Sequence, residues 1–373
     1  MSTKSTYIVP LGKNGPLVPQ LGFGLMGLSF GTYGSVPSDE ERFALLDHAH
    51  EVGSTFWDSA DLYGDCEELI GKWFKRTGKR DDIFLATKFG FVKGSKTLEL
   101  NTSYEYAKQA CAESLRLLDV DYIDLCKPAA TGHGINGRLT LEDYVHHPNP
   151  ETPIEQTMRA LKELQDEGKI KHIGLSAVTS TTLRRAVKIA PVAAVQIGYS
   201  PFELEAEGAE GTHIIQTCRE LGVAVVAAMP LGRGLLTTNF VEGTAAGDEK
   251  DMRWKSIPRF GEENREKNMQ IVGQFKALAD KKGVTTAQLA LAWLLKQGND
   301  IIPIPGTKRV KYFDENWASL DIELSNEEET EIRRFVQQAD IAGGARPPAF
   351  QDWDFRDTKE EVWLREQTLE ILT

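Results

Sequence analysis

The sequence predicts an α/β chain closed into a (β/α)8 TIM barrel, and three observations carry that prediction. Short apolar runs alternate with helical patterns almost from end to end, as strands joined by helices do. Eight such strand–helix units occupy roughly 300 residues, a number and length that suit a closed barrel. The runs are apolar on both faces, so the strands are expected to pair in parallel through right-handed crossovers. An open doubly wound sheet is the alternative.

Taken in order, residues 7–11 and 17–21 flank Gly12-Lys13-Asn14-Gly15, where Asn-Gly suits a hairpin turn. This hairpin is expected to plug the bottom of the barrel. The first barrel strand is 21–24. After Pro37, Ser38 to Glu41 reads as a capping box, followed by Phe43, Leu46 and His50 near helical spacing and by Gly53 as a left-handed stop. A strand over 55–58 comes next. The pattern then repeats with strand 83–88, helix 104–118, a strand from Tyr122, helix 153–167 and strand 172–176. Helix 181–188, strand 193–197, helix 212–221 and strand 223–228 continue it. Helices over 265–282 and 286–297, strand 301–304 and helix 309–318 close the series. One domain is expected over 1–373, with its core at about 7–340 and a helical tail at 343–373.

Composition narrows the function. Apolar residues make up 41% and charged residues 26%, which is globular rather than disordered. A formal charge of −12 disfavours a nucleic-acid groove or an anionic membrane surface as partner. No apolar run approaches the ~18–20 residues that span a bilayer, and the polar start has no signal-peptide core. The cysteines Cys66, Cys111, Cys126 and Cys218 lie far apart, so neither a disulfide framework nor a zinc knuckle is expected. The chain reads as a cytoplasmic protein without a metal, nucleic-acid or membrane partner, its oligomeric state left open.

Three motifs look functional and are read otherwise. Gly22-Phe23-Gly24-Leu25-Met26-Gly27 matches GxGxxG, but the loop-like stretch 29–38 that follows does not open a Rossmann helix. His48 and His50 sit at i, i+2 on one helix and do not face each other. The charged run 262–267 reads as an exposed helix start.

Asp58, Tyr63, Lys88 and His146 fall at or just beyond the C-terminal ends of strands, which in a barrel form one rim. Lys88 would bring its charge into apolar surroundings, with Asp58 as counter-charge. Held near Tyr63, it would stabilise the phenolate and lower the tyrosine pKa, making a general acid. His146 would hydrogen-bond the substrate oxygen. The plainer alternative is a buried ion pair with two incidental polar residues.

With these residues in view, the sequence resembles the aldo-keto reductase superfamily over about 9–346. The resemblance is to its microbial and fungal pyridoxal-reductase-like and general aldehyde-reductase groups. It rests on Gly22 to Gly27, Trp57-Asp58-Ser59-Ala60-Asp61-Leu62-Tyr63-Gly64 with Glu67-Glu68-Leu69-Ile70-Gly71, and Ala86-Thr87-Lys88-Phe89-Gly90. Further matches are Ile173-Gly174-Leu175-Ser176, Val195-Gln196-Ile197 with Tyr199-Ser200-Pro201, Pro230 to Leu236, and Ile304-Pro305-Gly306-Thr307-Lys308-Arg309.

The resemblance implies a barrel that binds NADPH and reduces a small-molecule aldehyde or ketone, with Asp58, Tyr63, Lys88 and His146 as the catalytic tetrad. It implies that Gly24 and Met26 line the cofactor site together with Asp58. Ser176 and Gln196 would hold the carboxamide, and Tyr199 would stack on the nicotinamide. Pro230, Leu231, Gly232, Gly234 and Leu235 would cover the pyrophosphate. Gly306, Thr307, Lys308 and Arg309 would surround the 2′-phosphate, where two cations favour NADPH over NADH, with Glu315 and Asn316 near adenine.

The sequence departs from this pattern at His147, where many relatives have arginine, and at Gly198, where many have glutamate. A larger departure splits Ile123-Asp124-Leu125 from Tyr144-Val145-His146 by residues 126–143. These residues read as a loop expected to bulge from the wall and leave His146 at the rim. Two origins stay open. Codons TGT-AAG for Cys126-Lys127 and GAA-GAC for Glu142-Asp143 would allow retained intron sequence, whose removal restores Leu-Tyr-Tyr-Val-His. A genuine insertion would put the barrel strand at 139–146. The alternative function is an NADP(H)-binding barrel without turnover, resembling potassium-channel β subunits or inactivated by the insertion.

Overall fold

A computed structural model of the chain describes residues 7–93, 99–128, 149–244, 248–348 and 355–361. Strands β1 (Ile8–Pro10) and β2 (Leu17–Pro19) pair antiparallel as the expected hairpin. Its turn passes through Gly12 at φ 81° and Asn14 at φ 61°, left-handed positions that suit these two residues.

Eight parallel strands follow in chain order around the wall: β3 (Phe23–Gly24), β4 (Phe56–Asp58), β5 (Phe84–Phe89) and β6 (Ile123–Pro128), then β7 (Ile170–Ser176), β8 (Ala194–Gly198), β9 (Ala224–Ala228) and β10 (Ile301–Pro303). The seam is closed by Gly22 N–H donating to the Pro303 carbonyl at 2.9 Å and Gly24 N–H to that of Pro305 at 3.2 Å. The backbones meet there without room for a side chain. A Cβ on Gly24 would lie 2.8 Å from the Ile304 carbonyl oxygen, and one on Gly306 2.7 Å from that of Gly24.

The main helices are α1 (Asp39–Glu51), α2 (Cys66–Thr77), α3 (Tyr104–Leu118), α4 (Ile154–Asp166) and α5 (Ser180–Ala186), then α6 (Ile214–Leu221), α7 (Glu262–Lys282), α8 (Thr286–Lys296), α9 (Val310–Trp317) and α10 (Asn326–Gln338). The Ser38–Glu41 capping box starts α1 as expected. Outward strand residues such as Trp57, Leu85, Ile173 and Val195 pack on Trp73, Met158, Leu183 and Trp293 of the helices. Inside, Phe56, Ala86, Leu125, Ala194 and Val226 form a floor with Val9, Leu11 and Val18 of the hairpin. Burial of those three plug residues, about 1.5–3 kcal/mol each, holds strands too short to persist alone.

Side chains alternate along a strand, so the inward positions two residues above the floor form one ring. That ring carries Asp58, Lys88, Lys127, Ser176 and Gln196. The polar layer of the barrel thus follows directly from strand register.

Three expectations are corrected. One helical turn, Met26–Ser29, does open at the third glycine of the GxGxxG string, though the next helix waits until Asp39. Cys126, Lys127 and Pro128 belong to the fourth wall strand, where Leu125 to Pro128 pair with Ala86 to Phe89. The loop therefore does not begin at Cys126, and the strand proposed over 139–146 is not needed to fill this place. Tyr144, His146 and His147 lie outside the described residues. Finally, residues 355–361 run irregularly rather than as a helix. They lie against α5, where Asp357 accepts from Thr179 and Thr182 and Arg185 donates to the Thr358 carbonyl at 2.7 Å. Phe355 packs against the outer core, while Phe350 and Trp353 lie outside the described residues.

Candidate active site

β4, β5 and β6 end side by side, which brings their inward polar residues together. Lys88 Nζ donates to Asp58 Oδ1 at 2.6 Å, to the Ser59 carbonyl at 2.6 Å and to Tyr63 Oη at 3.2 Å. Tyr63 reaches this point because the chain turns back just after β4, with Tyr63 N–H donating to the Ala60 carbonyl at 3.1 Å. Asp58 Oδ2 accepts from Gln196 Nε2 at 2.8 Å and from Lys127 Nζ. The Lys88 and Lys127 side chains are 0% exposed and Asp58 is 3% exposed, so all three charges are held away from water.

Electrostatics follow from that enclosure. Burial alone would raise the Asp58 pKa, but the charges and hydrogen bonds of Lys127 and Lys88 bring it down to about 2. Burial would lower Lys88, yet Asp58 and Tyr63 raise it above its ordinary value. Lys127 is brought down to about 8 by burial, with Lys88 adding to the fall and Asp58 opposing it. Tyr63 is pushed up to about 12 by burial, and Asp58 adds to the rise while Lys88 works against it. The net lowering of Tyr63 expected from Lys88 is therefore outweighed: the lysine acts in the expected direction, but desolvation of a buried phenolate is the larger effect.

Above this cluster opens a cavity of about 660 Å³ that runs from Asp58 and Tyr63 to Asn316. Its wall includes Gly24, Met26, Ser176, Gln196, Pro230, Leu231, Gly234, Gly306, Thr307, Lys308, Arg309 and Glu315. Lys88, Tyr199, Gly232 and Leu235 are not on that wall. Gln196 and Gly198 take inward positions of β8, and Tyr199 takes the next outward one. Its ring tilts against Trp293 at 5.8 Å and its hydroxyl donates to Glu207. Gly198 borders the cavity, and a Cβ there would lie 3.4 Å from Arg346 Nη2, so a glutamate at this position would grow onto a guanidinium.

The two far-end cations differ. Lys308 Nζ donates to the carbonyls of Tyr33, Gly34 and Ser35 at 2.9, 3.1 and 2.8 Å, stapling that loop to the cavity rim. Arg309 has its guanidinium 5.9 Å from the Tyr312 ring centroid. Near the middle, Arg233 is 7% exposed, and its Nε and Nη2 have no hydrogen-bond partner among the described residues. A buried guanidinium with unmatched donors fits an anion such as a diphosphate. The two helix histidines go to different neighbours, His48 to Asp314 and His50 to Asp82.

Sequence reasoning missed Lys127 and Arg233. Lys127 was readable from alternation: it lies two residues beyond Leu125 and shares its face. Arg233 stands inside a motif whose neighbours were assigned to the cofactor.

Comparison with known proteins agrees with this fold. The model of the Aldo/keto reductase family matches residues 20–131 and 143–337. Aldo-keto reductase str7 of Strobilurus tenacellus is 45% identical over 331 residues, 88% of this chain and 91% of that protein. Aldo-keto reductase yakc [NADP(+)] of Schizosaccharomyces pombe is 45% identical over 346 residues, 91% of this chain and 95% of that protein. Among solved structures, a thermostable aldo-keto reductase in complex with the inhibitor epalrestat is similar at 28% identity and a TM-score of 0.65, covering 88% of this chain and 99% of that one. A glycerol dehydrogenase of Gluconobacter oxydans shares the fold, with a TM-score of 0.74 at 23% identity over 91% of this chain and 97% of that one.

Proposed function

This chain belongs to the aldo/keto reductase family, oxidoreductases that act on carbonyl and alcohol groups, and from that premise we propose that it reduces an aldehyde or ketone to an alcohol with NADPH. The observation that carries the proposal is the buried Asp58–Lys88–Tyr63 chain at the floor of a cavity with cations along its length.

The residues present fit the dinucleotide. Arg233, with two unmatched buried donors, suits the diphosphate, and Arg309 suits the 2′-phosphate. Gln196 gives its Nε2 to Asp58, which leaves its side-chain oxygen Oε1 as the atom that would accept from a carboxamide N–H, and Ser176 borders the same wall. Lys308 already gives three hydrogen bonds to carbonyls, so its part is to hold the 33–35 loop against the site. When bound, NADPH supplies the hydride that goes to the carbonyl carbon.

Tyr63 supplies the proton. With its pKa near 12 it is protonated at neutral pH, and Lys88 at 3.2 Å stabilises the phenolate left after transfer. Asp58 fixes the Lys88 ammonium, whose other hydrogen bond to the Ser59 carbonyl leaves it one orientation. Solvent then returns a proton to Tyr63.

The test is NADPH oxidation followed at 340 nm over a panel of aldehydes and ketones, with the alcohol product identified. Turnover on at least one carbonyl is expected. NADPH binding without turnover across the panel would overturn the proposal in favour of a non-catalytic barrel.

A further inference from the structure

We propose that Lys127 is a positioning residue for this reaction: it takes the second oxygen of Asp58 and so gives the buried cluster the extra positive charge that a deprotonated Tyr63 requires. The inference rests on the reading of Tyr63 as the proton donor.

The geometry begins with Asp58. One carboxylate oxygen accepts from Lys88 at 2.6 Å, and the other accepts from Lys127 and from Gln196. Without Lys127, the negative charge of Asp58 would cancel the charge of Lys88, and Tyr63 would face a nearly neutral pair. With Lys127, one carboxylate stands against two ammonium groups, and the cluster carries one net positive charge. When the Tyr63 O–H bond breaks and the proton passes to the carbonyl oxygen, the phenolate brings the cluster to neutrality. The arrangement therefore favours the charge present after proton transfer over the charge present before it, which lowers the barrier.

The enclosure makes this matter. Lys127 pairs with Lys88 across adjacent strands and is fully buried over the apolar floor. Among the described residues, the groups that face it are Asp58 on β4 and Lys88 on β5, with neutral Gln196 of β8 sharing its acceptor. On β7, Gly174 lies beside it, and a Cβ there would come within 2.7 Å of Lys127 Cγ. Cys126, its strand neighbour, faces the outer core. Because Lys127 is brought down to about 8, it loses its charge within an accessible pH range. Below that pH the cluster is positive and Tyr63 yields its proton more readily. Above it the cluster is neutral and proton transfer slows.

The test compares the full-length chain with Lys127→Met and Lys127→Gln, using NADPH and 4-nitrobenzaldehyde from pH 5.5 to 10. Expected are a kcat roughly 10- to 100-fold lower below pH 8 in both variants, KM changed less than about threefold, and loss of the fall in kcat near pH 8. Potentiometric titration of the cofactor-free chain, with the Lys127→Met curve subtracted, gives a readout independent of turnover and is expected to show one group titrating near pH 8 that the variant lacks. Unchanged kcat and pH profile in a folded variant, or the absence of a group near pH 8 that the variant lacks, would overturn the proposal. If the wild-type chain turns over no carbonyl, the proposed function fails, while the potentiometric titration still decides whether Lys127 carries the switchable charge assigned to it.

Discussion

Replacing Asp58 by asparagine tests the electrostatic core through stability. Asp58 is the carboxylate between two fully buried ammonium groups, and asparagine keeps its shape while removing the charge. Breaking a buried pair from one side costs about 3–5 kcal/mol, because the partner charges stay behind. For a chain of 373 residues that corresponds to a thermal midpoint lower by about 4–6 °C. The pH dependence has a definite sign. Asp58 is depressed from its ordinary 3.8 to about 2, so its stabilisation is complete above about pH 4 and disappears as the pH falls from 4 to 2. Toward alkaline pH the penalty of the variant shrinks, since Lys127 sheds its proton from about 8 upward. Melting curves by circular dichroism at pH 6 and pH 9.5 measure both effects. A midpoint within 1 °C of wild type at pH 6, or a penalty that grows toward pH 9.5, would refute the reasoning.

Arg309→Ala is expected to weaken NADPH binding about ten- to a hundredfold and NADH binding little, since a charge-assisted contact contributes roughly 1.5–3 kcal/mol; equal losses in fluorescence titrations would remove it from the 2′-phosphate. Lys308→Ala is expected to weaken both cofactors to a similar degree, because it frees the 33–35 loop, and a loss confined to NADPH would restore it as a phosphate ligand. Arg233→Met is expected to raise the Kd of both cofactors about tenfold or more and to leave the melting temperature of the free chain unchanged or higher; a lower midpoint without a binding defect would make Arg233 structural. Replacing residues 126–143 by one tyrosine rebuilds the continuous fourth-strand motif and deletes Lys127. Because the strand already pairs with β5 as far as Pro128 and with β7 as far as Cys126, and Asp58 keeps Lys88 as partner, the midpoint is expected to move by less than about 3 °C, while the fall in kcat near pH 8 is lost; a large gain in stability would show that the interruption damages the wall.

Most of the barrel was legible because its signals are local. Apolar strands, the Ser38–Glu41 capping box and the Asn-Gly hairpin each point to one conformation, and helix 104–118 is found at the predicted boundaries. Asp58 with Lys88 was legible because a lysine at the end of an apolar strand demands a counter-charge. The end of the fourth strand was not legible, because the absent Tyr-Tyr-Val-His continuation points to a break after Leu125, whereas Cys126-Lys127-Pro128 satisfies the wall backbone equally well. The net pKa of Tyr63 was not legible at all: it depends on how far burial outweighs the lysine, a balance between groups brought together only by the fold. Likewise, the three carbonyls that engage Lys308 come from residues 33–35, more than 270 positions away in sequence.

Tyr63 as proton donor is the feature on which the proposed chemistry depends most directly. The decisive measurement is kcat for NADPH-dependent reduction of 4-nitrobenzaldehyde by the wild-type chain and by Tyr63→Phe, with the NADPH Kd of each determined by fluorescence. Expected are wild-type turnover, a loss of about 10²- to 10⁴-fold in Tyr63→Phe, and equal cofactor affinity in the two. Comparable turnover by Tyr63→Phe would contradict that role.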